Sequence, residues 1–160
     1  MQCNPVSCCA TPWPPTPVPA AQSAYGGVSN GLDLLLALQG GTPFALDDLQ
    51  QAMPAKNMAA AASALTIQKS GVYYLSYAAS YSYTIAAYVQ FYVTRNNAPL
   101  PETLTARDTR AHDVENVAQT ALVALKKGDK LQLVVQPNVA GDLFLPANAT
   151  NLVAVLLHQP

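Results

Sequence analysis

From Gly71 to Ile85 the odd positions are Tyr73, Leu75, Tyr77, Ala79, Tyr81, Tyr83 and Ile85, while the even positions include Ser76, Ser80, Ser82 and Thr84. Alternation with period two sends successive side chains to opposite faces of an extended chain, so this segment predicts a half-buried strand. The pattern resumes at Ala87, Val89, Phe91 and Val93 and ends at Arg95-Asn96-Asn97, a hairpin signal. Seven of the eight tyrosines fall between Tyr73 and Tyr92, where strand propensity is highest. Val117–Leu125, Leu131–Gln136 and Leu152–Leu157 read as further strands, with a turn at Lys126-Lys127-Gly128-Asp129 between the first two. Leu32–Leu38 is a short apolar run stopped by Gly40-Gly41, a length that suits a buried strand. Residues 46–65 are mixed: Leu46, Leu49 and Met53 have helical spacing and Ala59–Ala64 favour helix, but Pro54 interrupts. That segment is expected to be loop with one helical turn, then a strand. Short strands, frequent turns and no long helix indicate an all-β sandwich or barrel.

Two of these strands carry more information. Leu152–Leu157 is apolar on both faces, and Leu32–Leu38 is nearly so. An antiparallel sheet with one wet face would alternate here. One side of such a strand meets the core of its own sandwich, so the other is expected to meet a second chain.

Composition points the same way. Hydrophobic residues make up 51% of the 160-residue chain and charged residues only 11%, against ~25% charged in an ordinary soluble domain. So little charge implies surface buried against copies of the chain or other partners. Eight Lys and Arg against nine Asp and Glu leave a net charge of −1, which argues against nucleic acid and anionic membrane as partners. No run reaches the ~18–20 apolar residues that span a bilayer. The first residues also lack the charged start and apolar run of a secretion signal, so export by another route or release on lysis is expected.

Residues 1–25 form a separate segment, with 26–160 as the folded domain. Cys3, Cys8 and Cys9 are the only cysteines. An odd number confined to a tail favours bonds between chains over a staple within the fold; a small metal site and idle thiols are the alternatives. Thr11–Pro19 contains five prolines among nine residues. It should take extended polyproline II geometry, spanning roughly 30 Å at ~3.1 Å per residue. Trp13, the sole tryptophan, stands with Pro14 and Pro15 as a candidate anchor on a neighbouring subunit; a merely exposed residue is the competing reading.

Catalytic chemistry is hard to find. His112 and His158 lie in unrelated segments, and no His, Cys or carboxylate spacing supplies the three or four ligands a zinc site needs. Asp47-Asp48 is too small a set for calcium and reads as a solvated turn. Arg107–Asp113 reads as a solvent loop, with anion or glycan binding as the sharper option. Asn148-Ala149-Thr150 fits a glycosylation sequon but reads better as a turn. No nucleophile elbow, Walker loop or dinucleotide fingerprint occurs. The expectation is no enzyme, no cofactor and no metal.

Four blocks carry a family resemblance. Gly71-Val72-Tyr73-Tyr74-Leu75-Ser76-Tyr77 resembles the Gly-x-Tyr-x-x-x-Tyr strand of the complement and tumour-necrosis-factor superfamily. It is closer still to the C-terminal domain of the collagen-like spore exosporium glycoproteins (BclA-type). Val93–Leu100 resembles their strand with an Asn-Gly-type turn, Leu125–Leu133 their Leu-x-x-Gly-Asp-x-Leu-x-Leu hairpin, and Asn148–Leu157 their final strand. Over roughly residues 30–158 the resemblance implies a ten-stranded antiparallel jelly roll that forms homotrimers through one sheet. The interface it implies draws on Tyr74 and Ala78, with Leu152, Ala154 and Leu156 near the threefold axis; the parity of the last strand stays open. Unlike those glycoproteins the chain has no collagen repeats. Its Cys3…Cys8-Cys9 tail instead resembles the connector of bacterial spore-appendage fibre subunits. Together these imply a structural subunit of an extracellular spore or cell-surface fibre, whose partners are further copies of itself and an anchoring spore-coat or exosporium protein. A trimeric surface head that recognises a glycan or receptor is the alternative. A small cupin-like enzyme is a distant third, since its metal ligands are missing.

Overall fold

The computed structural model describes residues 23–61 and 64–159. Cys3, Cys8, Cys9, Trp13, Pro14 and Pro15, and with them the expected connector, lie outside these residues.

Among the described residues fourteen strands follow one another. They begin with β1 (Tyr25–Ser29), β2 (Leu34–Leu38), β3 (Phe44–Ala45), β4 (Gln51–Ala52), β5 (Met58–Ala61), β6 (Ala64–Ile67) and β7 (Gly71–Tyr83). They continue with β8 (Ala87–Arg95), β9 (Ala98–Pro99), β10 (Thr105–Thr109), β11 (Val114–Leu125), β12 (Lys130–Pro137), β13 (Gly141–Leu145) and β14 (Thr150–His158). The count exceeds the ten implied by resemblance, partly because β3, β4 and β9 are two-residue pieces at sheet margins. One sheet runs β2-β13-β7-β14-β1-β4, with β11 also paired to β7. The other runs β10-β8-β12-β6-β5, with β3 on β12 and β9 on β8. Neighbours are far apart in sequence, and the pairing of first strand with last (Gly26 opposite Ala154) closes an antiparallel jelly roll.

The alternation of β7 is the organising feature. Tyr73, Leu75, Tyr77, Ala79, Tyr81 and Tyr83 all point into the sandwich and are buried. They meet Val89, Phe91 and Val93 of β8 and Leu131, Leu133 and Val135 of β12 in one continuous core. Each large apolar side chain so buried contributes ~1.5–3 kcal/mol. A tyrosine core also needs partners for its hydroxyls. The Tyr73 hydroxyl donates to the Lys69 carbonyl at 2.7 Å, and that of Tyr83 to the Val139 carbonyl at 2.8 Å. The Tyr77 hydroxyl lies between the carbonyls of Thr103, 2.8 Å away, and Phe91, 3.0 Å away. The Tyr81 hydroxyl has no partner among the described residues, while its ring packs on Phe91 at 5.0 Å between centroids. Burial pushes the pKa of Tyr73, Tyr77, Tyr81, Tyr83 and Tyr92 upward, aided at Tyr81 by the Glu115 carboxylate.

The turns follow the expected chemistry. Asn96 and Asn97 both have positive φ, the conformation a tight hairpin demands, and Gly128 does the same between β11 and β12. Asn148 is likewise left-handed, with its amide donating to the Asn30 carbonyl, so it serves as a turn residue before β14.

Two expectations need correction. Residues 46–65 hold no helical turn among those described: Ala59–Ala61 and Ala64 lie in the β5–β6 hairpin, because pairing to β12 outweighs the helix preference of alanine. Arg107 and Asp108 belong to β10, an edge strand on β8; only Arg110–Asp113 turns. The run Leu32–Leu38 buries Leu38 in the core and leaves Leu32 and Leu35 exposed within this chain, which agrees with an outer side left open in a single copy.

Candidate assembly face

The inward side of the first sheet is core; its outward side is defined by the registers. Leu122 of β11 lies opposite Tyr74 of β7, Tyr74 opposite Val155 of β14, and Val155 opposite Tyr25 of β1. These four form one apolar row across four strands. Leu122 is 64% exposed and Tyr74 39%. Nearer the other end, Val114 lies opposite Ser82, Ser82 opposite Phe144, and Phe144 opposite Leu35. Val114 and Leu35 in this second row are 67% and 71% exposed.

Between the rows the side chains are small and neutral. One line reads Thr120, Ser76, Val153, Gly27, and the next Ala118, Ala78, Asn151, Ser29. The Ser80 hydroxyl pairs with the Asn116 amide oxygen across β7 and β11. Not one outward position on β7, on β11, on β1 or on β14 from Asn151 to Val155 carries a charge. A monomer surface rarely leaves so broad a neutral stretch to water; the outward charge on the strands beside it is Asp142 of β13.

The sequence model of the BclA C-terminal domain family matches residues 26–155. The chain belongs to that family. This BclA C-terminal domain is matched by no curated protein. Among solved structures it is similar to murine APRIL at pH 5.0, with 13% identity over 85% of this chain and 100% of that one, at a TM-score of 0.65. It is also similar to the Eiger TNF from S. frugiperda, with 14% identity over 87% of this chain and 94% of that one, at a TM-score of 0.62. The globular domain of the zebrafish complement 1qA protein aligns at 15% identity over 87% of this chain and 99% of that one, with a TM-score of 0.53. At these identities the likeness is one of fold: an all-β, antiparallel jelly roll of the tumour-necrosis-factor and complement type.

Tyr74 and Ala78, named from the sequence, do stand on the outward side of β7. The parity of the last strand, open from sequence, is fixed by its register with β7, which turns Leu152 and Ala154 inward rather than toward a partner. Leu152 and Ala154 are fully buried in the domain's own core, opposite Tyr77 and Leu75, and Leu156 packs partly against that core. Their side chains are unavailable to a partner; Val153 and Val155 take their place outside. A strand apolar on both faces gives no clue to its parity, so only the register with β7 decides it. Tyr25, Val114, Leu122, Phe144 and Leu35 were not singled out as face residues from sequence. An alternation count over Val114–Leu125 would have exposed Leu122 as an apolar residue on the polar side.

The glycine of the Gly-x-Tyr block has a packing reason. A Cβ on Gly71 would run into the His158 carbonyl oxygen and Leu156 Cδ1, where the end of β14 crosses the start of β7. His112 and His158 sit by opposite ends of β7: the His112 amide donates to the Tyr83 carbonyl, and His158 is opposite Val72. Asp47 accepts from the Gln132 amide at 3.4 Å, next to Leu46 in the loop after β3. Among the described residues no group of three or more His, Cys, Asp and Glu converges, and no helix is long and apolar enough to cross a membrane.

Proposed function

We propose that this domain is the head of a homotrimeric structural subunit on the surface or exosporium of a bacterial spore. Residues 1–25 act as a connector that joins one trimer to the next in a fibre. The observation that carries the reading is the outward side of the first sheet, uncharged on β7, β11, β1 and the start of β14 and with Asp142 of β13 as a charge at its margin, and its rows Leu122-Tyr74-Val155-Tyr25 and Val114-Phe144-Leu35. Covering β7, β11, β1 and the start of β14 with two further copies removes exposed apolar side chains worth ~1.5–3 kcal/mol each and desolvates no charge on those strands. Trimers cannot link covalently through a head that has no cysteine, so Cys3, Cys8 and Cys9 carry the bonds between chains.

The test combines non-reducing gels with electron microscopy. Oxidised protein should give reductant-sensitive ladders and filaments. The double variant Cys8→Ser, Cys9→Ser should keep its trimers while losing most of the linkage. Trimers that stay unlinked when oxidised at high concentration would remove the fibre and leave a discrete head.

A second reading is favoured by one feature of the opposite sheet. Gly41, Tyr88, Gln90, Gln136 and Asn138 line a cleft of about 220 Å³ without a charged residue. Its amides are held in place: Asn138 Oδ1 accepts from the Tyr88 amide at 2.8 Å, and Gln136 Nε2 donates to the Gly41 carbonyl at 2.9 Å. An exposed aromatic ring beside fixed amides suits a neutral glycan. Saturable binding of neutral oligosaccharides, lost in Tyr88→Ala, would favour a recognition head over a purely structural one.

A further inference from the structure

The charges of the domain are sorted along its strands. The end of β7 at Gly71 carries the turns between β6 and β7, β8 and β9, and β11 and β12. Lys69, Arg95, Lys126, Lys127 and Lys130 sit on or beside these turns. Lys56 is bridged to Tyr25, whose partner Val155 lies opposite Tyr74 near the same end. Six of the eight Lys and Arg residues of the chain therefore share one end. Lys56, Lys126, Lys127 and Lys130 are exposed there, while Lys69 and Arg95 are half-buried.

The turns are locked to one another. The Lys127 amide donates to Ser70 Oγ at 3.0 Å, the Gly128 amide to the Ile67 carbonyl at 2.7 Å, and the Asn96 amide to the Lys130 carbonyl at 2.9 Å. Asp129 is the acid on these turns, and neutral donors hold both its oxygens: Asn96 Nδ2 at 2.8 Å and the Lys126 amide at 2.8 Å. The carboxylate braces the turns, and the cations around it stand in a fixed patch with a surplus of positive charge. Crowding like charges costs stability, and a negative partner relieves it.

The opposite end has the reverse sign. Asp113 lies between β10 and β11, Asp108 is opposite Tyr88 near the start of β8, and the Asp142 carbonyl accepts from the Thr84 amide where β7 ends. All three acids are exposed, and Arg110 is the exposed cation beside them. Arg107 and Glu115 are also at this end, opposite the inward residues Val89 and Tyr81. Their fields reach the Tyr81 hydroxyl with opposite sign, so they offset each other.

We propose that the basic end of one trimer docks on the acidic end of the next copy, which gives the fibre a polarity. The inference rests on the fibre reading above and names the surfaces that stack. Exposed charges contribute little as single pairs, but a trimer repeats both patches on every chain and engages them together. Like ends repel, so trimers meet in one sense only. A contact between unlike surfaces at opposite ends of a body propagates as an open filament. None of the six cations lies on the outward positions of β7, β11, β1 or Asn151 to Val155 of β14, so the basic end stays open once trimers form.

In reducing buffer the disulfides are open, and sedimentation of the full-length trimer reports its non-covalent stacking. Stacking should weaken by about tenfold or more between ~0.01 M and ~1 M salt, as the screening length falls from ~30 Å to ~3 Å. The double variant Lys126→Glu, Lys127→Glu should abolish it, and so should Asp108→Lys with Asp113→Lys, each with the trimer mass unchanged. An equimolar mixture of the two double variants should stack again, because each offers the sign that the other lacks.

Stacking indifferent to salt, or a mixture that stays dispersed while both variants remain trimeric, would overturn the end-to-end contact. Loss of stacking in the Lys126, Lys127 variant alone would overturn it too, since the basic end would then meet something other than the acidic one. Capture of polyglutamate at that end, without self-association, would assign it to a foreign polyanion instead. Reductant-sensitive ladders and filaments from the Lys126, Lys127 variant at high salt would sink the contact and leave the disulfide-linked fibre standing. No assembly beyond the trimer, oxidised or reduced, would defeat the fibre reading and the stacking with it.

Discussion

The two sheets bury equivalent inner faces but present different outer ones. On the second sheet the outward positions include Tyr88 and Gln90 of β8, Lys130, Gln132 and Gln136 of β12, and Asp108 of β10, around a buried centre of Tyr92, Thr94 and Val134. Amides and charges of that kind are well hydrated. On the first sheet the equivalent positions read Val72, Tyr74, Ser76, Ala78 and Ser80 on β7 and Ala118, Thr120, Leu122 and Ala124 on β11, with no charge. The low charge content of the chain is therefore not spread evenly; it is concentrated on one face. Folding constrains the inner faces equally, so the outer difference reflects what each sheet meets after folding. On the proposed reading, one meets water and the other protein.

That contrast can be broken most sharply within one strand. Leu152→Asp puts a carboxylate in the core and should cost more than ~4 kcal/mol, abolishing the folded state in thermal melts. Val153→Asp, one residue along and facing out, should fold and lose association instead. If both unfold, the outward side of β14 is not an outer face.

Alkali attacks only the shared core. Tyr73, Tyr77, Tyr81, Tyr83 and Tyr92 have raised pKa values through burial. At neutral pH these groups are protonated whether folded or not. Above pH ~10 the unfolded chain releases those protons while the folded one retains them, so stability should fall steeply there in circular-dichroism titrations. Gly71→Ala should cost ~1–3 kcal/mol by forcing the end of β14 away from β7, read as a drop in denaturant midpoint.

On the neutral face, Tyr74→Lys should weaken self-association at least tenfold, about 1.4 kcal/mol, with the fold intact. The matching change on the wet sheet, Gln90→Lys, should alter stability by no more than about 0.5 kcal/mol and leave association unchanged. Equal effects from the two lysines would erase the distinction between the sheets.

Legibility from sequence followed the strength of alternation. β7, β8, β11, β12 and β14 were each readable because apolar residues recur every second position or run without interruption between turn signals. β1, β10 and β13 were not. Tyr25-Gly26-Gly27-Val28-Ser29 has glycine where a strand former is expected, and Thr105–Thr109, an edge strand, has Ala106 as its one apolar residue. Gly141–Leu145 is short and follows a turn, and pairing to β2 and β7 makes it a strand. The need for a partner face was legible in the doubled apolar character of β14. Its composition could not be read from that strand, since Leu152 and Val153 look alike until β7 fixes the register.

Sedimentation of the full-length chain in reducing buffer, at micromolar concentration, bears most directly on the claim that the neutral sheet drives assembly. The expected result is a discrete species of three chain masses that Tyr74→Lys converts to one. A stable single chain, with the outward positions of β7 and β14 freely accessible to solvent probes, would contradict it.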